Sequence, residues 1–430
     1  MKQPFRRSVD EHHEVVRALL SELPGRLGSQ EVPLADARGR ILAANLLAPR
    51  NLPAFDNSQM DGFAVRRADL LDGSAVEVGA VIAAGDAAGT LSPKTAAPIM
   101  TGAMLPSGAD AVVPIERADP PEFPAALSQP ETPARPLTVR LPTDTPAGQF
   151  IRAAGSDIAS GATALPAGTR LGPAQLGLAA ALGLDRLTVT CRPRVLILST
   201  GDEVRPPGSE LAPGQIHDAN TTLLLALFAE AGADVAAAGI STDAPEVFVA
   251  DLAPRLGPTR DPAFELVVTS GGISKGAFEV VRLALADHGI DFGSVAMQPG
   301  GPQGAGLLEL PGAAPTALLA FPGNPVSGVV SFELLARPAW EELFGTPPRA
   351  RLRARLATDL PAPPEGKLQV RRAAVVLDDD GGAIATAVGG PGSHLVHALA
   401  SSNALLMLPS GSGATPAGEL VETLMYGALT

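Results

Sequence analysis

The spacing of apolar residues changes at Arg194, and from there to about residue 337 strand-like runs alternate with helix-like runs. Strands that alternate with helices indicate a parallel sheet covered by helices on both faces. The sequence therefore predicts a doubly wound α/β domain in the middle of the chain. Its predicted strands are 195–199, 234–240, 264–269 and 316–321, and its predicted helices are 221–232, 276–288, 325–337 and one that opens at Asp243-Ala-Pro-Glu246 with Asp243 as the cap.

The rest of the chain divides around this segment. With 430 residues, the protein is too long for one hydrophobic core. Ser8 and Glu11 have the spacing of a capping box and predict a first helix that ends at Pro24-Gly25. Short apolar pieces between glycines and prolines predict β-rich structure on both sides of the α/β segment. The predicted domains are an N-terminal domain of residues 1–65 and 150–192, a β-rich inserted domain of residues 66–149, the α/β domain of residues 193–340 and an all-β domain of residues 341–430.

Composition excludes several classes of function. The chain has 32 Lys and Arg against 45 Asp and Glu, a formal net charge of −13, and only one Trp and one Tyr. It therefore offers neither a basic stripe nor a stacking platform for nucleic acid. A single cysteine, Cys191, excludes an internal disulfide framework and fits a reducing compartment. With no signal-like N-terminus and no apolar run of membrane-spanning length, we expect a cytoplasmic protein that binds neither nucleic acid nor membranes.

The loops after the predicted strands carry most of the polar and glycine residues. Ligands bind at the carboxyl ends of strands in open α/β sheets, so we expect these loops to meet on one rim. Adjacent Gly271 and Gly272 predict backbone amides that approach an oxyanion. Each feature taken alone also fits a plain turn, a helix cap or a solvated charge. The carboxylates on this rim, which suggest Mg²⁺, are Asp202, Glu203, Asp243 and Glu279.

Two segments before residue 110 offer further candidates. Phe55 to Phe63 packs polar and turn residues between apolar runs, which makes Asp56, Asn57, Ser58 and Asp61 possible ligand contacts. The tight turn after Met100 offers Thr101 in the same way. A capped turn is an equally good interpretation of the first segment. His394 and His397 lack a third ligand nearby in sequence, so no metal site is predicted there.

Taken together, these segments resemble the molybdopterin molybdenumtransferase family, that is, the MoeA proteins and the C-terminal half of gephyrin. The resemblance covers about residues 8 to 425, and the matching segments occur in the same order as in the family. The matching segments are PAFDNSQMDGFAV at 53–65, IMTGAMLPSGADAVVPIE at 99–116, residues 152–161, LILSTGDEV at 196–204, GQIHDAN at 214–220, SGGISKGAFEVV at 270–281, FPGNPVSGVVSFELLARP at 321–338 and PGSH at 391–394.

The resemblance implies an enzyme that hydrolyses adenylated molybdopterin with Mg²⁺ and inserts molybdate, giving molybdenum cofactor and AMP. It implies a homodimer whose active cleft combines the α/β domain, of molybdopterin-binding type, with the N-terminal dimerisation region of the other subunit, and a barrel-like C-terminal domain. It also implies an upstream molybdopterin adenylyltransferase and downstream molybdoenzymes or their chaperones. The catalytic positions implied are Asp61, Thr101, Asp157, Glu203, Asp243 and Glu279, of which Glu203, Asp243 and Glu279 would hold Mg²⁺.

The same resemblance implies binding residues. Those for substrate and phosphate are Gly271, Gly272, Ser274, Lys275, Asn324 and Pro325. Those for molybdate are Gln298, Pro299, Ser327, Arg372 and Ser393. The chain departs from well-studied relatives because residues 294–302 contain no lysine, and Lys275 in the neighbouring loop is expected to compensate together with Arg372.

Two alternatives remain open. One is the adenylyltransferase reaction, whose enzymes share the α/β domain but are usually single-domain proteins with a GGTG-type loop, where this chain has Gly271-Gly-Ile-Ser274. The other is a catalytically weakened molybdopterin-binding scaffold, which the missing lysines suggest. The retained Asp61, Glu203 and Asp243 favour the transferase.

Overall fold

The computed structural model describes residues 4–123, 136–237, 244–257, 263–274 and 279–428. These residues belong to two compact units, one of residues 1–28 with 190–430 and one of residues 29–189. Asp243, with its predicted cap, and Lys275 lie outside the described residues. The four domain boundaries given above stay predictions.

The strands and helices of the described residues are numbered in chain order. The strands are β1 Phe5–Arg7, β2 Ser29–Pro33, β3 Leu46–Leu47, β4 Asn57–Ser58, β5 Gly62–Val65, β6 Val76–Val78, β7 Thr95–Ile99, β8 Ala111–Pro114, β9 Thr138–Val139, β10 Ile151–Arg152, β11 Thr163–Leu165, β12 Arg186–Thr190, β13 Arg194–Ser199, β14 Val204–Arg205, β15 Ile216–His217, β16 Asp234–Ala237, β17 Leu266–Ser270, β18 Ile290–Val295, β19 Met297–Gln298, β20 Pro302–Leu308, β21 Thr316–Phe321, β22 Arg351–Leu356, β23 Leu368–Leu377, β24 Ala383–Ala387, β25 Ala404–Leu408 and β26 Leu420–Met425. The helices are α1 Val9–Leu20, α2 Leu23–Arg26, α3 Pro173–Ala181, α4 Ala219–Glu230, α5 Pro245–Leu252, α6 Val280–Leu285, α7 Pro325–Ser331, α8 Arg337–Phe344 and α9 Val396–Ala400.

A seven-stranded sheet forms the centre of the larger unit, in the order β1-β18-β20-β21-β17-β13-β16. β16, β13, β17 and β21 run parallel, whereas β20 runs antiparallel to both β18 and β21. The four predicted strands are therefore parallel as expected, but the sheet is mixed at this edge, where β18 and β20 were not predicted. Glycines interrupt the apolar pattern there because the backbones approach closely. A Cβ atom on Gly304 would lie 2.6 Å from the Phe292 ring, and one on Gly306 would lie 2.2 Å from the Gly289 carbonyl oxygen.

Helices cover both faces of this sheet. Side chains alternate along β13, so that Val195 and Ile197 pack with α1, α4 and α8, while Leu196 and Leu198 pack with α5 and α6. Trp340 on α8 is fully buried and donates its indole N–H to the Ala231 carbonyl at 3.1 Å. Burial of each large apolar side chain contributes about 2 kcal/mol, which gives every strand a fixed orientation between the two layers. The carboxyl ends of the parallel strands all lie on the same side of the domain, at one end of the strands.

The first helix begins with the predicted capping box. The Glu11 amide donates to Ser8 Oγ at 3.2 Å, and the Ser8 amide donates to Glu11 Oε2 at 2.7 Å. α1 ends at Leu20, earlier than predicted, and the chain turns at Ser21 before the separate single turn of α2. The longest described helices, α1 and α4, have 12 residues each, and the described part of the chain contains no helix long and apolar enough to span a bilayer.

The C-terminal strands close into a barrel. β23 pairs with β24, β24 with β22, β22 with β26, β26 with β25, and β25 with β23, so the ring has no free edge. Small side chains, among them Ala354, Ala373 and Ala385, fill its interior. β19, which belongs to the preceding α/β segment, adds to the outside of β23 with Gln298 opposite Gln369. This pairing joins the α/β layer to the barrel.

The smaller unit contains a five-stranded sheet in the order β8-β5-β7-β6-β9. Phe63, Val65 and Val113 are buried in its core. Gly62 allows β5 and β8 to approach, since a Cβ atom there would lie 2.1 Å from the Val113 carbonyl oxygen. The unit also contains three two-stranded pairs: β12 with β2, β11 with β3 and β10 with β4.

Candidate active site

A pocket of about 930 Å³ opens at the carboxyl ends of the parallel strands in the larger unit. Its walls come from the loops after β13, β17 and β21, from the segment before α4, and from residues 298–302 and 391–396. Three of the four loops predicted to share a rim therefore meet, and residues 238–243 of the fourth lie outside the described residues. The predicted site residues that line the pocket are Glu203, Gly271, Gly272, Ser274, Glu279, Gln298, Pro299, Asn324, Pro325, Ser327 and Ser393.

The loop after β17 passes very close to Thr200. Gly271 and Gly272 have φ angles of +95° and +65°, and a Cβ atom on Gly271 would lie 3.0 Å from the Thr200 carbonyl oxygen. Glycine is required there by both backbone conformation and space. The Gly271 amide donates to the Phe321 carbonyl at 3.1 Å, so it is not available to an oxyanion, contrary to the expectation from sequence. The Gly272 amide makes no hydrogen bond within the described residues and stays a candidate.

Three carboxylates line the pocket: Glu203, Asp218 and Glu279. Glu279 Oε2 accepts a hydrogen bond from the Ser274 amide at 2.7 Å, which ties the start of α6 to the glycine loop. Glu203 is exposed, and its carboxylate lies against Gly201. In the part of the chain that the structure describes, no three Asp, Glu, His or Cys side chains cluster as a metal site. The magnesium site at Glu203, Asp243 and Glu279 stays a prediction.

Asp218 holds one wall of the pocket. It caps α4 and is buried, with Oδ1 accepting from the Thr221 amide at 2.9 Å and from Ser199 Oγ at 3.1 Å. Its Oδ2 accepts from Thr221 Oγ1 at 2.6 Å. These bonds satisfy a buried carboxylate and link α4 to the end of β13. Sequence reasoning did not single out Asp218, although it lies within the GQIHDAN segment.

The loop after β21 is held from two sides. Asn220 Nδ2 donates to the Gly323 carbonyl at 2.6 Å. On the other side, the Val326 amide at the start of α7 donates to the Ser393 carbonyl at 3.1 Å. Ser327 is buried at the pocket wall. The predicted residues of this loop are thus fixed by a side chain from α4 and by the backbone of the 391–396 segment.

Two buried glutamines hold the segment that begins at Gln298. Gln369 Nε2 donates to Gln298 Oε1 at 3.2 Å, and Gln303 Nε2 donates to the Gly300 carbonyl at 2.7 Å. Gln303 and Gln369 are 1% and 5% exposed. Neither falls in a segment that the sequence singled out, and no sequence signal pointed to them.

Arg372 lies behind the pocket wall. Its guanidinium donates to the Gly392 carbonyl at 3.0 Å and to the Gly390 carbonyl, and its side chain is buried. Burial, together with the neighbouring Arg371, lowers the pKa of Arg372. Arg372 is not among the residues that line the pocket, although it was predicted to bind molybdate. Its position is that of a support for the loop that carries Ser393.

Among the described residues that line the pocket, none is a lysine or an arginine. Its charged groups are the carboxylates of Glu203, Asp218 and Glu279, and its histidines are His217 and His394. His217 Nε2 is 3.0 Å from the Ser209 carbonyl oxygen. An oxyanion in the described part of this pocket would therefore meet neutral hydrogen-bond donors. Lys275, the cation expected to compensate, lies outside the described residues.

The smaller unit brings together two of its three predicted site residues. The Thr101 amide and hydroxyl both donate to Asp61 Oδ1, at 2.6 Å and 2.9 Å. Both residues are exposed. Asp157 is exposed too, and its amide donates to the Leu52 carbonyl at 3.0 Å.

Comparison with known proteins gives matches over the whole chain. Family models match at residues 7–183 for the MoeA N-terminal region (domain I and II), at 196–342 for a probable molybdopterin binding domain, and at 353–426 for the MoeA C-terminal region (domain IV). Molybdopterin molybdenumtransferase 2 of Mycobacterium tuberculosis is 41% identical, covering 97% of this chain and 98% of that protein. The molybdopterin molybdenumtransferase of Haemophilus influenzae is 32% identical, covering 94% and 95%.

A solved structure has the same architecture. The crystal structure of the molybdopterin biosynthesis MoeA protein from Pyrococcus horikosii superposes with a TM-score of 0.76 at 27% identity, covering 99% of this chain and all of that one. The predicted multidomain fold, with a central α/β domain and a C-terminal β domain, is confirmed. Sequence similarity and fold agree, and the chain belongs to the molybdopterin molybdenumtransferase (MoeA) family of enzymes.

Proposed function

We propose that the enzyme converts adenylated molybdopterin and molybdate into molybdenum cofactor and AMP. The observation that carries the proposal is the full-length similarity to proteins named molybdopterin molybdenumtransferase. The substrate would come from a molybdopterin adenylyltransferase, and molybdoenzymes or their chaperones would take the product. We also propose that the enzyme is a cytoplasmic homodimer and that Asp61, Thr101 and Asp157 act in its reaction.

The pocket supports this proposal by its size and its position. A volume of about 930 Å³ suits a ligand as large as a nucleotide conjugate. Its place at the carboxyl ends of parallel strands is where open α/β sheets bind such ligands. The Gly272 amide and Ser274 lie on one wall, and the loop of Asn324, Pro325 and Ser327 lies on another. We assign the first wall, together with Asn324 and Pro325, to the substrate and its phosphate, and we assign Ser327 to molybdate.

The carboxylates of the pocket fit a magnesium ion by their chemistry. Glu203 and Glu279 offer the hard oxygen atoms that Mg²⁺ prefers, and the described lining holds no Lys or Arg beside them. With Asp243 as the third residue, they would hold the ion near the phosphate, where it supplies charge neutralisation. Glu279 has a second task, because its bond to the Ser274 amide fixes the glycine loop beside the substrate.

The test is AMP release from adenylated molybdopterin, measured with and without molybdate and Mg²⁺. We expect release to require Mg²⁺ and to be stimulated by molybdate, and we expect Glu203→Gln and Asp243→Ala to lower the rate about a hundredfold. Asp202→Asn is the matched control, because Asp202 neighbours Glu203 but does not line the pocket. Equal losses in Asp202→Asn and Glu203→Gln would refute the assignment of Glu203.

Two further measurements separate the alternative functions. Accumulation of adenylated molybdopterin from ATP and molybdopterin without molybdate would identify an adenylyltransferase. Tight binding of the adenylate with no turnover in the wild-type protein would identify a scaffold.

A further inference from the structure

His394 lies in the wall of the pocket that residues 391–396 form. Its ring packs on the backbone of Gly392, because a Cβ atom on Gly392 would lie 3.0 Å from His394 Cε1 and 3.3 Å from His394 Nδ1. His394 is exposed, and its ring makes no hydrogen bond within the described residues. A neutral imidazole in this state can accept a proton at one ring nitrogen and donate one from the other.

The backbone that carries this ring is held at three successive carbonyl groups. Those of residues 392, 393 and 394 accept hydrogen bonds, in that order, from Arg372 Nη1 at 3.0 Å, from the Val326 amide at 3.1 Å and from the Val396 amide at 2.9 Å. The side chain of Arg372 is buried. The fold thus presents the His394 ring to the pocket from a fixed backbone, and a fixed group loses little entropy when it meets a substrate.

The other ionisable side chains of the described lining already have a role. Asp218 and Glu279 accept hydrogen bonds from backbone amides of the protein itself. Glu203 is a magnesium ligand in the proposed function, and His217 Nε2 donates to a backbone carbonyl at 3.0 Å. Among the described residues that line the pocket, His394 is therefore the one that can take up and release a proton without breaking a hydrogen bond of the fold or leaving a metal ion. Imidazole is also the side chain that does both most readily near neutral pH.

Insertion of molybdate, as in the proposed function, requires the transfer of protons. The two thiol groups of molybdopterin lose their protons as two Mo–S bonds form, one Mo–O bond of molybdate breaks, and the freed oxygen takes up the two protons and leaves as water. Molybdenum keeps its oxidation state, so the step needs no oxidant or reductant. A positioned group that accepts a proton from sulfur and passes it to this oxygen accelerates such a step about a hundredfold or more.

We propose that His394 is a catalytic residue that accepts a proton from a thiol group of molybdopterin and donates it to the molybdate oxygen that leaves as water. The inference rests on the proposed function for the identity of the two substrates, and it adds the proton carrier, which the sequence did not indicate. Ser393, which was predicted to bind molybdate, precedes His394 in the same wall. The ring would therefore lie in the part of the pocket from which the oxygen leaves.

The first measurement follows the two halves of the reaction separately in a single turnover. Full-length protein in excess of adenylated molybdopterin is mixed with molybdate and Mg²⁺ in the absence of oxygen, and the AMP released and the molybdenum bound to molybdopterin are both quantified over time. We expect His394→Ala to release AMP at close to the wild-type rate but to insert molybdenum about a hundredfold more slowly. Equal slowing of both steps would overturn the proposal, because a general loss of substrate binding would then explain the effect.

Added imidazole gives a signature that a merely structural role would not produce. The His394→Ala variant leaves a space at the pocket wall, and free imidazole that enters this space can carry the same proton. We expect imidazole to raise the insertion rate of His394→Ala about tenfold and to leave the wild type and His397→Ala unchanged. His397 is the matched control, because it is an exposed histidine of α9 that does not line the pocket. An insertion rate that imidazole does not raise in His394→Ala would contradict proton transfer by this ring.

Two glycine variants test the position of the ring while the imidazole is kept. In Gly392→Ala the new Cβ atom would press on His394 Cε1 and displace the ring, so we expect insertion to slow about tenfold while AMP release stays near the wild-type rate. Gly390→Ala is the control, because a Cβ atom there would meet nothing within 4 Å. Insertion at the wild-type rate in Gly392→Ala would overturn the requirement for a fixed ring. Thermal unfolding identifies any variant that fails to fold, and the imidazole rescue of His394→Ala then decides the matter.

The outcomes separate the inference from the proposed function. If the wild-type protein neither releases AMP nor inserts molybdenum, with or without Mg²⁺, the proposed function fails. If the wild-type protein does both and His394→Ala inserts molybdenum equally fast, the inference alone fails.

Discussion

Asp61 and Thr101, which are 40 residues apart in sequence, are joined through a single carboxylate oxygen. The amide and the hydroxyl of Thr101 both donate to Asp61 Oδ1, at 2.6 Å and 2.9 Å. Asp61 Oδ2 makes no hydrogen bond within the described residues. One oxygen thus fixes the turn at Thr101, and the other belongs to an exposed side chain.

Substitution of Asp61 distinguishes its support of this turn from its proposed role in the reaction. Asp61→Asn keeps an oxygen that accepts both bonds from Thr101 but removes the charge, so we expect AMP release to fall about a hundredfold with little change in thermal stability. Asp61→Ala should lose both activity and the order of the turn. The control is Asp72→Asn, at an exposed carboxylate of the same unit that bonds to Ser74. Wild-type activity in Asp61→Asn would mean that Asp61 only positions Thr101.

Arg372 supports the loop that carries Ser393. Its guanidinium bonds to the Gly392 carbonyl, and the next carbonyl, that of Ser393, caps the Val326 amide at the start of α7. In Arg372→Met, we expect hydrogen exchange of the Val326 amide to be at least about tenfold faster, because local opening becomes easier. We expect only a small change in global stability, since the variant also removes a buried charge.

The matched control for that variant is Arg371→Met. Arg371 is buried beside Arg372, and its guanidinium bonds to the Gly389 carbonyl, farther from α7. Exchange of the Val326 amide should stay slow in this control. If exchange of the Val326 amide is accelerated equally in both variants, then both arginines support the loop, and Arg372 does not act alone.

Gly271→Ala tests the close approach of the glycine loop to Thr200. The new Cβ atom would be 3.0 Å from the Thr200 carbonyl oxygen, in a backbone with φ of +95°. Gly208→Ala is the matched control, because Gly208 has φ of +85° and open space around it. We expect urea unfolding to show that the free energy of unfolding falls by about 1 kcal/mol in the control and by about 3 kcal/mol in Gly271→Ala. Equal losses would mean that backbone conformation alone requires glycine at 271.

His12 should make stability depend on pH. It is 1% exposed, stacks on Phe5 and lies 3.3 Å from Arg7 Nη1. Burial, with a smaller contribution from Arg7, lowers the pKa of His12 from 6.5 to about 4. A histidine whose pKa is lowered on folding contributes stability above its unfolded pKa, and that stability is lost as the pH falls from about 6.5 toward 4.

The size of this effect follows from the two pKa values. Between pH 7.5 and pH 5, His12 should account for a loss of about 2 kcal/mol in the free energy of unfolding. Urea unfolding of the wild type and of His12→Phe at the two pH values measures this loss. His397→Gln is the control, because His397 is an exposed residue of α9. If His12→Phe loses as much stability on acidification as the wild type, then other groups carry the pH dependence.

Several elements follow from local sequence alone. The strand at Thr316–Phe321 has the bounds predicted from its apolar run. The capping box of α1 forms as its spacing indicates. The segments around the pocket also carried the family resemblance, because glycines and polar residues at strand ends leave a pattern that is visible along the chain.

Other features depend on the tertiary structure. β18 and β20 were missed because they contain glycines, which lower the strand propensity of the local sequence. These glycines are needed because neighbouring backbones approach closely there. The site residues that sequence reasoning missed, Asp218, Gln303 and Gln369, act through partners that no local pattern specifies.

The sequence by itself determined the alternation of strands and helices, the capped start of α1 and the family. Only the tertiary structure decided that the Gly271 amide is taken by the Phe321 carbonyl and that Arg372 holds carbonyl groups behind the pocket. The tertiary structure likewise paired Gln298 with Gln369. The physical reason is that helix and strand formation depend on near neighbours in the chain, whereas a hydrogen bond depends on which distant groups the fold brings to within about 3 Å of each other.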